Sequence, residues 1–249
     1  MADDVKTQLI SPMFRIGRST LDVPQQYKEN GKAKDNAPYK FGLSMILDPE
    51  ALAKFMKPTD EGGFEAVNIN SVCKELAEAK WPEIKGDKDK LKEMFRHPKG
   101  GSNWPIQSGE TVIAKAAKKA AAKNKTAPTM EYLVGKFQIN ASSNSDYPPV
   151  LKYKNAGKTI ELDREKPEDM KKIRSLFRAG GYAIAELTLK ANETEQGYYV
   201  NFYVNAVTFR KEGDRIGGGG GGLMDRFLGA EGGETDFDPN ADDFGDPDV

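Results

Sequence analysis

Residues 197–211 read GYYVNFYVNAVTFRK, and their alternation decides the fold. Val200, Phe202, Val204 and Ala206 are apolar, while the positions between them, Tyr199, Asn201, Tyr203 and Asn205, alternate ring and amide. A period of two with one apolar side is the pattern of a strand that covers a core with one face and meets water with the other. The segment before it, GYAIAELTLKA (181–191), repeats the pattern, with Ala183, Ala185, Leu187 and Leu189 on one side and Tyr182, Glu186, Thr188 and Lys190 on the other. The polar NETEQG (192–197) between them ends in glycine, so the pair is expected to form an antiparallel hairpin.

Working upstream, MEYLVGKFQINASS (130–143) places Leu133, Phe137 and Ile139 inward and Tyr132, Lys136, Gln138 and Asn140 outward. YKFGLSMIL (39–47) places Phe41, Leu43, Met45 and Leu47 inward, with Lys40 and Ser44 outside, and SPMFRIGRSTL (11–21) reads as the first strand. Four or five such strands predict a mainly β fold, a small barrel or sandwich. Three helices are expected between them. DPEALAKFMK (48–57) has Asp48 as N-cap and Pro49 at the first helical position, NINSVCKELAEAKW (68–81) has Ile69, Val72, Cys73 and Leu76 at helical spacing, and REKPEDMKKIRSLFRAGG (164–181) runs from Pro167 to a stop at Gly180.

The chain has 249 residues, 38% of them hydrophobic, enough for one core with appendages. One cysteine, Cys73, and one histidine, His97, exclude a disulfide framework and a closed Cys/His zinc site. GGSNW (100–104) lacks the closing glycine of a nucleophile elbow, so His97 is expected to be an ordinary surface residue. NAGKTI (155–160) lacks the upstream glycine of a phosphate-binding loop and is expected to be a turn. Glu161, Asp163 and Glu165 alternate without a histidine beside them, so no metal or acid/base site is expected. No stretch of eighteen apolar residues occurs and MADDVKTQLISPMF lacks a basic region followed by an apolar one, so a soluble protein that meets no membrane is expected.

Charge divides the chain. Residues 231–249 hold eight of the 38 acidic residues and none of the 37 basic ones, which leaves residues 1–230 with a net charge of +7. A basic body suits a polyanion, and the acidic end suits a partner, the body itself or solubility. The expected organisation is a binding domain over 1–212, a glycine-rich linker over 213–230 that includes six consecutive glycines, and a disordered acidic tail over 231–249. Within the linker, LMDRFL (223–228) reads either as one docking helical turn or as an interaction motif. The basic Ala/Lys segment 113–127 reads either as a solvated helix or mobile loop, or as an arm lying on phosphates.

Tyrosines interleaved with amides and lysines on a basic, strand-built body point to single-stranded nucleic acid, since rings stack on unpaired bases while cations follow the backbone. The candidate stacking residues are Tyr132, Tyr147, Tyr153, Tyr182, Tyr199 and Tyr203, and the candidate phosphate contacts are Arg15, Arg18, Lys40, Lys136, Lys152, Arg178 and Arg210.

The succession PMFRIGRSTL, YKFGLSMILDPEAL, QINASS with PPV, and GGY, GYYVN and DRIGGG, closed by an acidic segment, resembles the bacteriophage-encoded single-stranded DNA-binding proteins of the OB-fold type. In layout it is also similar to the helix-destabilising proteins of T7-like phages. The resemblance covers most of residues 9–249 and implies an OB-fold-like small barrel with helical insertions. It further implies a protein without catalysis or cofactor that coats single-stranded DNA, without sequence preference, during phage replication, recombination and repair in the cytoplasm of the infected bacterial host. The acidic tail would compete with DNA and recruit phage or host replication and recombination proteins, through Asp236, Phe237, Asp238, Asp242, Asp243 and Phe244. Tails of such relatives usually finish in an aromatic or apolar dipeptide, whereas this chain ends Asp-Pro-Asp-Val. Two other classes stay open, a phage structural or interaction protein and a metal-dependent nuclease, and the oligomeric state stays open too, a homo-oligomer included.

Overall fold

The computed structural model describes residues 5–26, 28–29, 32–33, 37–97, 101–195 and 197–216. The acidic segment, with Asp236, Phe237, Asp238, Asp242, Asp243 and Phe244, and the linker residues from 217 onward lie outside them. In chain order the strands are β1 (Lys6–Ile10), β2 (Phe14–Ser19), the two-residue β3 (Gln25–Gln26), β4 (Lys28–Glu29) and β5 (Lys32–Ala33), and β6 (Tyr39–Leu47). A long insertion follows, with β7 (Phe55–Pro58), β8 (Phe64–Val67), α1 (Ile69–Lys80), α2 (Lys88–Met94), β9 (Ile106–Ser108) and α3 (Gly109–Ala122). The chain then returns through β10 (Phe137–Asn144), β11 (Val150–Asn155), β12 (Lys158–Leu162), α4 (Pro167–Leu176), β13 (Tyr182–Thr194) and β14 (Gly197–Lys211).

Five of these strands close a barrel in the order β2, β6, β10, β14, β13 and back to β2. Only β10 and β14 run parallel; the other four pairings are antiparallel. With α4 between the third and fourth barrel strands, this is the OB-like Greek-key arrangement. The first barrel strand comes in two pieces. β1 pairs with β13, the chain bends at 11–13, and β2 pairs with β6. At the bend Ser11 holds β13, its N–H donating to the Ala185 carbonyl and its Oγ accepting from the Ala185 N–H, both at 2.8 Å. The expected strand in 11–21 is therefore the second, because alternation in the short KTQLI was too brief to register.

The hairpin expected from 181–211 is present, with Val200, Phe202, Val204 and Ala206 buried against Ala183, Ala185, Leu187 and Leu189. Its alternation breaks where β14 carries an extra residue, Asn205, between the partners of Glu186 and Leu187. Ala206 and Val207 are consequently both buried, and a second extra residue, Arg210, is pushed out to solvent near the strand's end. NAGKTI is the expected turn: it joins β11 to β12 with Ala156 and Gly157 both at positive φ, as a two-residue hairpin loop of the primed kind requires.

Other expectations are corrected. Asp48 is the N-cap residue expected, but only Pro49–Ala53 forms a 3-10 turn and FMKP enters β7, because Phe55 is drawn into the core; the Asp48 side chain makes no capping bond and pairs with Lys136 instead. The strand expected from 130 starts at Phe137; Glu131–Leu133 is a 3-10 turn, and Leu133 packs outside the barrel rather than within it. Ser44 is 6% exposed, since its hydroxyl donates to Asn140 Oδ1 at 2.7 Å across the β6–β10 pair. His97 is also 6% exposed, and its backbone N–H donates to the Gly101 carbonyl. Of the readings of the Ala/Lys segment the helix holds through Ala122, and α3 is capped by Ser108 and seats Val112 and Ile113 against Leu133 and Ile46.

Helices α1 and α4 fall where expected, and α1 buries Ile69, Val72, Cys73 and Leu76. The insertion grips the β13–β14 hairpin through an aromatic chain. Trp81 meets Tyr198 edge-on at 5.1 Å and Phe95 at 5.9 Å, and Phe95 meets Trp104 at 5.1 Å. Each such contact adds about 0.5–1.5 kcal/mol beyond the area it buries, so the hairpin tip is fixed to the insertion.

Candidate nucleic-acid interface

The outward positions of the barrel form continuous rows across its strands. One row runs Thr188 on β13, Tyr203 on β14, Ser142 on β10 and Gly42 on β6, each beside the next in register. Along β10 the outward residues are Gln138, Asn140, Ser142 and Asn144, facing Ile46, Ser44, Gly42 and Lys40 of β6. Apart from Ile46, which Leu133 and Ile216 cover, the face is thus polar, with mostly short side chains, and Tyr199 and Tyr203 rise from it. One amide sets the Tyr203 ring, Asn192 Nδ2 donating to its hydroxyl at 3.3 Å, and the bulged Asn205 donates to Thr188 Oγ1 at 2.8 Å. With its hydroxyl engaged, Tyr203 is held half-buried, standing out of a floor of short side chains, an arrangement suited to stacking on a flat apolar partner.

At one end of this face Lys40 and Tyr147 come together. The Ser145 N–H donates to the Tyr39 carbonyl and the Tyr147 N–H to the Asn144 carbonyl, so the turn after β10 stands beside the start of β6. Tyr147 is 78% exposed and Tyr39 is 52% exposed. Tyr39 was not singled out from the sequence, although its place just before Lys40 at a strand's start is the signal that could have found it. At the other end, β9 pairs with Phe137–Ile139 of β10 and leads directly into α3, bringing Lys115 to Gln107, whose Oε1 accepts from Lys115 Nζ at 3.3 Å. Partial burial lowers the Lys115 pKa, while Lys118, Lys123 and Lys125 further along are exposed.

The remaining candidates are distributed differently. Lys136 pairs with Asp48, and Tyr132 packs on the small cluster of Ile46, Leu133 and Ile216 outside the barrel. Arg18 sits on β2 and is partnered, and Arg210 is exposed at its bulge. Lys152 and Tyr153 lie on β11 beyond the barrel, where Tyr153 packs against the core with Lys172 Nζ 5.9 Å from its ring centroid. Arg15, Arg178 and Tyr182 meet a strap, residues 212–216, that follows β14. Arg15 Nη2 donates to the Asp214 carbonyl at 2.8 Å and Arg178 Nη2 to the Gly213 carbonyl at 3.2 Å. Gly213 lies so close to the Tyr182 ring that a Cβ there would come within 2.7 Å of it, and Lys211 sits over the ring at 4.7 Å. The strap ends with Ile216 buried on Ile46 and Leu133.

Among the described residues no group of three or more His, Cys, Asp and Glu side chains is placed to hold a metal ion, and no helix is long and apolar enough to cross a membrane. Cys73 is buried, and desolvation pushes its thiol pKa far up, which leaves it without nucleophilic character.

Among solved structures, the single-stranded DNA-binding protein from bacteriophage Enc34, in complex with ssDNA, matches with a TM-score of 0.52 and 14% identity, over 85% of this chain and 90% of that one. This chain has the fold of the Enc34 protein. The likeness in fold agrees with the resemblance read from sequence blocks. Gp2.5, a single-stranded DNA-binding protein encoded by bacteriophage T7, aligns over 93% of this chain and 97% of its own at 10% identity and a TM-score of 0.43. No protein-family model matches the sequence, and no curated protein matches it.

Proposed function

We propose that this protein is a non-catalytic single-stranded DNA-binding protein that coats unpaired DNA without sequence preference. The observation that carries the proposal is Tyr203, flanked by Tyr199, standing on a row of short polar residues that crosses four barrel strands. Bases stack on such rings, small neighbours leave the ring faces reachable, and amides and hydroxyls meet sugar and phosphate without selecting a sequence. Lys40, Tyr39 and Tyr147 at one end and the lysines of α3 at the other continue the path, with the +7 body drawing the strand in. The fold shared with the Enc34 protein, whose structure is a complex with ssDNA, supports the same reading.

Replication, recombination and repair of phage DNA, in the cytoplasm of the infected bacterium, are the processes in which such coating acts. The acidic tail, through its carboxylates and through Phe237 and Phe244, competes with DNA and recruits partner proteins. Competition binding at about 150 mM salt tests the core of the proposal, since a duplex hides its base faces. A single strand is expected to displace labelled oligonucleotide far better than a duplex of the same length. Equal competition by the duplex would refute stacking as the mode of binding.

A further inference from the structure

Strand β1 meets β7 in register only at Ile10 and Met56. Toward its start the two strands part, leaving an open cleft of about 360 Å³ between Lys6, Thr7 and Gln8 on one side and Lys57 on the other, with Thr188 of β13 also lining it. No acidic side chain lines it. Lys6 stands directly across the β1–β13 pair from Lys190, so the cleft opens beside a second cation of the same sheet. Lys57 brings a third cation. Its register partner on β8 is Glu65, yet neither Lys57 nor Lys6 forms an ion pair among the described residues.

This cleft is continuous with the tyrosine face. Gln8 pairs with Thr188, which pairs with Tyr203, and Lys6 pairs with Lys190, which pairs with Asn201. Two steps between neighbouring strands separate Tyr203 from Gln8, about 10 Å at the usual strand spacing. We infer that the cleft between β1 and β7 is a phosphodiester-binding subsite, which takes the backbone of a single strand after it has passed over Tyr203 and β13. Lys6 and Lys57 neutralise the phosphate, and Thr7, Gln8 and Thr188 supply the neutral hydrogen-bonding groups that surround it. The inference rests on the proposed single-strand binding and adds to it a direction: the strand leaves the tyrosines across β13 toward β1, as well as running over β10 and β6.

The test is a salt titration of oligo-dT binding, by fluorescence anisotropy, with the full-length protein and its Lys6→Ala/Lys57→Ala double variant. Oligomers of about four and about sixteen nucleotides span the range of site sizes for one OB-fold. On the longer oligomer the variant's slope of log K against log salt is expected to fall by roughly 1.4, for two lost single-strand phosphate contacts. On the shorter one, which the tyrosines alone occupy, it is expected to match wild type. A wild-type protein that binds single strands, beside a double variant with an unchanged slope on the longer oligomer, would overturn the subsite alone. Absence of binding by the wild-type protein would overturn the proposed function along with it. If the variant instead lost affinity only for a labelled peptide of residues 231–249, the cleft would belong to an acidic peptide and the phosphodiester assignment would be wrong.

Discussion

Arg15 donates a 2.8 Å hydrogen bond to the backbone carbonyl of Asp214, a residue 199 positions later in the chain. With Arg178 on the Gly213 carbonyl, it holds the strap that carries the chain from β14 to Ile216, on the outer side of β6. A guanidinium committed in this way is not available to a phosphate. Arg15→Ala and Arg178→Ala are therefore each expected to lower stability by about 1.5–3 kcal/mol, the range for a hydrogen bond made by a charged group. The salt slope of oligonucleotide binding should stay as in wild type. Thermal denaturation and salt titration of the same preparations check this, and a slope reduced by roughly 0.7 with unchanged melting would return the residue to the binding face.

Tyr203→Ala is expected to weaken single-strand binding by about 1–3 kcal/mol, with the salt slope unchanged, because the loss is of stacking and not of charge. Tyr203→Phe keeps the ring and gives up only the hydrogen bond from Asn192, so its binding should stay near wild type. Anisotropy at two salt concentrations separates the two outcomes. A Phe variant as weak as the Ala variant would move the effect from the ring to the hydroxyl.

Lys136 is neutralised by Asp48, so Lys136→Ala should flatten the salt slope by less than the roughly 0.7 of a full single-strand phosphate contact. The counterpart is Asp48→Asn, which frees the ammonium beside the end of β10 and should steepen the slope and raise affinity at low salt. Both variants should melt close to wild type, because an exposed ion pair contributes only about 0–1 kcal/mol. An Asp48→Asn protein with unaltered affinity would place Lys136 off the path of the strand.

Truncation after Ala230 removes eight carboxylates tethered to a +7 body. The strap fixes the last described residue, Ile216, next to Ile46 of β6, beside the face that the tail is proposed to occupy. Affinity for single strands should rise on truncation, most at low salt, where the competing attraction is least screened. Replacing Asp236, Asp238, Asp242 and Asp243 by Asn should reproduce most of the gain, whereas Phe237→Ala and Phe244→Ala should act mainly on partner binding. A truncated protein that binds no better than the intact one at low salt would leave the tail as a partner hook or a solubility device.

Alternation in 181–211 and 39–47 was enough, without tertiary information, to identify the strands, their buried faces and the outward direction of Tyr199, Tyr203 and Lys40. That is so because side-chain direction in a strand is a local property with a fixed period of two. The helix within 68–81, the helix start at Pro167 and the turn at Ala156–Gly157 were legible for the same reason, since apolar spacing, helix starts and turns are set by a few neighbouring residues. What lies above an outward residue is decided by chain far away. Ser44 is buried by a hydrogen bond to Asn140, 96 residues on, Lys136 is claimed by Asp48 across 88, and Arg15 by Asp214 across 199. The bulges at Asn205 and Arg210 likewise arise from how β14 must bend to pair with β10, β11 and β13 together, a requirement of barrel closure that no short window contains. Sequence therefore determined that this protein presents tyrosines and cations on a small β barrel, and only the tertiary structure decided which of them share a face and which hold the chain's own end in place.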